Sequence, residues 1–187
     1  MVTAEDSRVI DPEFAFYGPI GFDLGAFFGN LLLAWYAQPG HETSDGERAA
    51  YREWILLEAQ RFWESFRKRF LALWQENGRG DAFANRMFAN TADAVPLAAA
   101  RSAFVGSLFA DMLGFAACKM IRRIVGFAHV LDFESISDRR VRATCESGAL
   151  ALARRLLTQP ERFGSVGEVI EAVRNGSARG RSAAARG

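Results

Sequence analysis

Residues 22–36, FDLGAFFGNLLLAWY, are apolar on almost every side. Leu24, Phe27, Phe28, Leu31, Leu32 and Trp35 recur at helical spacing, and Phe22, Ala26, Leu33 and Ala34 fill the flanks. A helix with so little polar surface has to lie at the centre of a domain, so the rest of the chain must pack around it. The most apolar run, Leu24 to Ala37, carries Asn30 and is shorter than the roughly 20 residues a membrane span needs. The sequence therefore predicts a helical domain with this segment as its axis.

The remaining pattern supplies the helices to surround it. Residues 47–76 read as a long amphipathic helix, with Tyr51, Trp54, Ile55, Glu58, Phe62, Phe66, Leu73 and Trp74 marking its inner side and edges. Asn77-Gly78-Arg79-Gly80-Asp81 breaks it. Residues 81–96 are ambiguous, with alanine-rich helical character ended before Pro96. From Pro96 to about Ala128 the periodicity predicts another helix, with Leu113, Ala117, Met120, Ile121, Ile124 and Ala128 on one face. Residues 132–137 read as a loop. Asp138 to Leu157 reads as a helix with Val141, Cys145, Ala149, Leu152 and Leu156 inward, and Ser165 to Arg174 as a short one with a capping box in Ser165-Val-Gly-Glu168. From Gly176 onward the residues are Gly, Ser, Ala and Arg, which cannot build a core and predict a disordered tail over 176–187. Ahead of the axial helix, Met1-Val2-Thr3 and Arg8-Val9-Ile10 flank a polar tetrapeptide, the pattern of a short N-terminal β-hairpin.

Composition narrows the function classes. The chain has 187 residues, 23 basic and 22 acidic side chains and a net charge of +1. That balance gives no reason to expect nucleic acid or an anionic membrane as partner. Cys118 and Cys145 each fall within a helical pattern and read as buried free thiols rather than a disulfide or a metal site. With no basic-then-apolar leader at the start, the expected location is cytoplasmic. His41 sits in a polar loop with no second His or Cys nearby, so a solvated residue is expected there rather than a ligand.

Two places carry chemistry. In Ile10-Asp11-Pro12-Glu13 the two carboxylates stand two residues apart, on one side of an extended segment. Proline fixes its own φ and holds Asp11 extended. Like charges so placed repel unless a cation or proton lies between them, and magnesium takes one or two protein carboxylates with water and substrate phosphates. On spacing alone a strand end followed by an acidic turn is the commoner meaning of such a run, since Asp-Pro often opens a turn. The second place is Lys119, Arg122 and Arg123, which stand at i, i+3 and i+4 with Gly126 close beside them. Like charges at this spacing repel by a few tenths of a kcal/mol per pair, and no acidic residue on that turn relieves them. This face is either a solvated basic surface or an anion site in which Gly126 leaves room for a phosphate or sugar. Asp23, at the start of the axial helix, reads as a cap or first-turn acid.

Taken together, VIDPEFAFYGPIGFDLGAFFGNLLLA, Glu53-Trp54 and GFAACKMIRRIVGFAHVLDFESI resemble the S-methyl-5-thioribose kinase family, over Met1 to about Leu157. That family lies in the aminoglycoside-phosphotransferase-like branch of the protein-kinase-like superfamily. The resemblance implies a mainly α fold over residues 1–175, the C-lobe of a kinase, with Asp11-Pro12-Glu13 as the magnesium and ATP motif. It implies that Arg122 and Arg123 serve the sugar and the transferring phosphate, with Lys119 in support. Asp23 would brace the catalytic-loop backbone. The implied reaction moves the γ-phosphoryl group of ATP to the 1-hydroxyl of 5-methylthioribose, in methionine salvage, by a homodimer. The family's His-Gly-Asp catalytic loop and its ATP-binding lobe precede this region, and no His-Gly-Asp run occurs in the chain. With Met1 already inside a strand pattern, the expectation is a C-terminal part of the enzyme that is inactive alone. The alternative is a non-catalytic helical module that only binds ligand or a partner lobe.

Overall fold

The structure, a computed structural model, describes residues 16–77 and 94–184. The expected hairpin and the Asp11-Pro12-Glu13 motif lie outside the described residues. Those described are helical, without a strand among them, in the order α1 Ile20–Ala37, α2 Ala49–Glu76, α3 Ala94–Val125, α4 Leu131–Glu134, α5 Arg139–Thr158 and α6 Val166–Ala184. Short 3₁₀ turns at Gln38–His41 and Pro160–Arg162 follow α1 and α5.

The axial helix is where its composition places it. Phe28 and Leu32 are fully buried, and Leu33, Trp35 and Tyr36 nearly so. Its main neighbour is α3, and glycine is what lets the two approach. Gly21, Gly25 and Gly29 recur every fourth residue and so share one face. A Cβ at Gly21 would lie 2.5 Å from the Cβ of Asp111, and one at Gly25 would lie 2.7 Å from the Ala116 nitrogen and the Met112 carbonyl oxygen. One at Gly29 would lie 3.0 Å from the Ala116 oxygen. Each glycine costs a helix about 1 kcal/mol relative to alanine, and here the close backbone contact offsets that cost. Met112, Leu113, Ala116, Ala117 and Met120 of α3 complete the centre, with Ala149 and Leu156 of α5 and Val169 and Val173 of α6 behind them.

Ile20–His41 and Pro96–Val125 are both long and apolar enough to cross a membrane by length and composition. That differs from the expectation based on Leu24 to Ala37 alone. In this fold their apolar faces meet each other and form the middle of the core.

Several local expectations are corrected. Pro96 does not end the preceding helical character, because α3 begins at Ala94 and takes the proline into its first turn, where a missing N–H costs no hydrogen bond. Residues 131–134 form the single-turn α4, which buries Phe133. The backbone of α6 runs on to Ala184, past the expected end at Arg174 and into the stretch read as a tail. On α2 the buried seam is Arg52, Ile55, Leu56, Ala59 and Trp63, whereas Tyr51, Trp54 and Leu73 are about half exposed. The seam is rotated because Ala59 allows close packing and Arg52 lays its guanidinium 3.9 Å from the Trp35 ring centroid, burying its stem and stacking its charge. Cys145 is buried as expected, while Cys118 is exposed; both are free. Val141 of α5 is partly exposed, unlike its predicted companions.

Candidate functional site

The C-terminal turns of α3 and the segment after them carry the candidate site. Met120 is fully buried on the inner side of α3. With that face turned inward, the 3.6-residue repeat carries Arg122 outward, and it is exposed, while Lys119 and Arg123 are half-buried. Among the described residues none of the three is ion-paired with a carboxylate. Burial, then the nearby Arg123 and Arg122 charges, hold the Lys119 ammonium below its usual range. The first cause is desolvation of a cation and the second is repulsion between like charges.

The two arginines differ in what they do locally. Arg123 donates from Nη1 to the carbonyl oxygen of Ala128 at 3.0 Å, and its Nε is buried with no hydrogen-bond partner among the described residues. Arg122 makes no such side-chain bond among the described residues, but its backbone carbonyl accepts from Gly126 N at 3.0 Å. A Cβ at Gly126 would lie 2.5 Å from that carbonyl oxygen. The glycine is therefore needed for closing the last turn against Arg122. The expected role of leaving room for a ligand is not the reason the position must be small.

The segment that follows is tied to the body of the fold. His41 donates through Nε2 to the Asp132 carbonyl oxygen at 2.8 Å, linking the turn after α1 to α4. The residue expected to be merely solvated therefore has a partner in the fold. Sequence reasoning missed this tie because its two ends are separated by 91 positions.

Asp23 lies in the first turn of α1 and is exposed. It is not the cap: Pro19 holds that position, with no side-chain capping bond. Gly21 meets α3 at Asp111 and Gly25 meets it at Phe115 and Ala116, so Asp23, midway between them, is level with about position 113, roughly 13 Å from Arg122 along the α3 axis at 1.5 Å per residue. Asp11, Pro12 and Glu13 are outside the described residues, so their position relative to the basic cluster is a matter for proposal. Among the described residues no group of three or more His, Cys, Asp or Glu side chains is placed to hold a metal ion. A cleft of about 730 Å³ opens between α2, α3 and the Pro160–Val166 segment, lined by Trp63, Phe109 and Phe163 among others. It does not include the three cations, and its walls are mostly apolar.

The arrangement thus defines a helical lobe with three cations near one helix end, none ion-paired among the described residues, a surface chemically suited to a phosphate. Comparison with known proteins narrows that class. The chain is 47% identical over 177 residues to methylthioribose kinase 1 of Oryza sativa subsp. japonica, covering 94% of this chain and 40% of that protein. It is 39% identical over 174 residues to the methylthioribose kinase of Escherichia coli O45:K1, covering 93% of this chain and 41% of that protein. The Yersinia pestis (strain Pestoides F) methylthioribose kinase is 38% identical over 167 residues, 89% of this chain and 38% of that protein. No family model matches. The chain is therefore a relative of the methylthioribose kinases along nearly all its length, and it spans about 40% of theirs.

Proposed function

We propose that this chain is the C-terminal, substrate-facing part of a methylthioribose kinase, which transfers the γ-phosphoryl group of ATP to the 1-hydroxyl of 5-methylthioribose. The observation that carries this reading is the 47% identity to a methylthioribose kinase over 94% of the chain, with three clustered cations that are not ion-paired among the described residues. The fold is then the C-lobe of a kinase-like enzyme, preceded by a short hairpin, working in the cytoplasm as a homodimer.

Phosphoryl transfer depends on positioning and on neutralising charge on the moving group. Arg122 and Arg123 supply fixed positive charge for the phosphate and hydrogen bonds for the sugar. Asp11 and Glu13 are hard oxygen donors two residues apart, the donor chemistry magnesium accepts alongside phosphate oxygens. The metal, when bound, would draw charge from the ATP phosphates. Asp23 would brace the backbone of the catalytic loop in the whole enzyme. Because no His-Gly-Asp run occurs in the chain, the base for the sugar hydroxyl is not among its residues, and the chain on its own is inactive.

A chimera tests this. The matching stretch of the Escherichia coli methylthioribose kinase is replaced by this chain, and ATP-dependent formation of methylthioribose 1-phosphate is measured. A folded chimera retains activity that the isolated chain lacks, and Asp11→Asn in it raises the magnesium needed for half-maximal rate. A chimera that folds and binds substrate but turns nothing over would leave the chain as a binding module.

A further inference from the structure

The cleft between α2, α3 and segment 160–166 stands apart from the basic cluster. Its α3 wall is drawn from residues 102–110, and the nearer end of that stretch lies roughly 13 Å from Lys119 along the helix, at 1.5 Å per residue. Trp63, Val105, Phe109 and Phe163 line it, and each is already buried by the fold around it. The Trp63 and Phe109 rings stand 4.9 Å apart at 47°, so two walls meet in aromatic contact. Gly106 lies on the same stretch of α3, and a Cβ added there would meet nothing within 4 Å. The space above it is therefore open among the described residues. At about 730 Å³ the cleft falls within the about 300–1,000 Å³ of small-molecule sites, which combine an apolar lining with a few placed polar groups.

Those polar groups carry both signs, on different walls. Arg67 comes from α2 and Glu161 from the turn after α5; both line the cleft and both are exposed. Neither is ion-paired among the described residues. Glu64, one turn before Arg67, also lines the cleft and accepts from Gln60 Nε2 at 2.8 Å. A purely anionic ligand would face two carboxylates here, and a purely cationic one the guanidinium. We propose that this cleft binds a small zwitterion with large apolar side chains, of about dipeptide size. Its side chains lie over Gly106 against Trp63 and Phe109, its carboxylate meets Arg67 and its ammonium meets Glu161. The planar guanidinium fork suits a carboxylate. Apolar burial supplies most of the affinity, and the rim charges select the head groups. This site does not rest on the kinase reading, and the chimera assay leaves it untouched.

The experiment uses the full chain, labelled with nitrogen-15 and titrated with leucyl-phenylalanine, its N-acetyl form, its C-terminal amide and diglycine. The chain has four tryptophans; Trp63 lines the cleft, and the indole signals of Trp35, Trp54 and Trp74 serve as controls. Leucyl-phenylalanine is expected to shift the Trp63 signal alone, and diglycine none. Acetylation and amidation should each weaken binding about threefold, the scale of a partly exposed ion pair. Glu161→Gln should abolish the difference that acetylation makes, and Arg67→Gln the difference that amidation makes. Gly106→Leu fills the open space with a better helix former, so it should melt no lower than the parent and lose the Trp63 shift. Equal binding of all three forms would reduce the cleft to an apolar crevice and overturn the proposal. So would a Trp63 signal unmoved at millimolar peptide, or binding that survives Gly106→Leu. A Gly106→Leu chain that melts below the parent would mean that the space is already filled, and the proposal fails there too.

Discussion

Arg123 Nη1 and the carbonyl oxygen of Ala128 are 3.0 Å apart, so one of two adjacent arginines is engaged with the backbone beyond its own helix. The other, Arg122, is exposed and among the described residues makes no side-chain hydrogen bond. Neighbours in sequence are thereby given different work. In the active chimera, Arg122→Ala is expected to lower turnover by about 100-fold or more, the scale of losing one pre-placed charge donor, with an unchanged melting temperature. Arg123→Ala is expected to lower turnover as well, and also stability, by about 1.5–3 kcal/mol for a lost charged hydrogen bond. Turnover and urea midpoints measured on both variants separate the roles. Equal stability in the two would remove the distinction.

The glycine face of α1 makes a prediction opposite to helix propensity. Alanine is the better helix former by about 1 kcal/mol, so Gly25→Ala should stabilise an isolated helix. Here the new Cβ meets the Phe115 Cβ at 2.6 Å and the Met112 carbonyl oxygen at 2.7 Å, and neither is the far end of a flexible side chain. Overpacking of this kind costs typically about 1–3 kcal/mol. Chemical denaturation of Gly25→Ala is expected to show a net loss, and a gain would mean that α1 and α3 separate easily.

Asp138 offers a pH test. It caps α5, accepting from Arg140 N at 2.7 Å and from Val141 N at 3.1 Å, and these bonds hold its carboxyl below the ordinary aspartate value of 3.8. A carboxylate whose folded value is depressed adds stability above the unfolded value, and that stability is lost as pH falls through the folded one. Asp138→Ala should therefore melt lower than the parent at neutral pH, with the gap closing in acid below 3.8. A gap that persisted unchanged in acid would assign the effect to something other than the cap.

How far these features were legible depends on range. The central position of α1 follows from its own composition, and α5 from a 3.6-residue repeat of Cys145, Ala149, Leu152 and Leu156. The seam of α2 did not follow, because large aromatic residues outweigh an alanine and an arginine when sequence alone is weighed. Arg52 is buried because α1 brings the Trp35 ring under its guanidinium. Gly21, Gly25 and Gly29 stand in a visible four-residue repeat that went unread beside the apolar residues around it. Of the site, the adjacency of Lys119, Arg122 and Arg123 was readable from helical spacing. The Arg123 bond to Ala128 and the reason for Gly126 were not, since both depend on how the chain turns after α3 ends.

Lys119 closes the set with a stability prediction of its own. Burial, then Arg123 and Arg122, lower its folded pKa from 10.5. The unfolded chain then holds this proton to higher pH than the folded one does. Between the two values the unfolded state binds more protons, so stability rises with pH there, and below the folded value a constant penalty remains. Lys119→Met removes the charge while keeping an unbranched apolar stem. It is expected to be more stable than the parent at neutral pH, with the advantage shrinking as pH rises towards 10.5. Urea midpoints of parent and variant, compared at neutral pH and again near that alkaline value, give the answer. A residue whose removal stabilises the fold is held there at the expense of stability, as functional positions are. If Lys119→Met instead unfolds more easily at neutral pH, its stem and charge serve packing, and the basic end of α3 is structural surface.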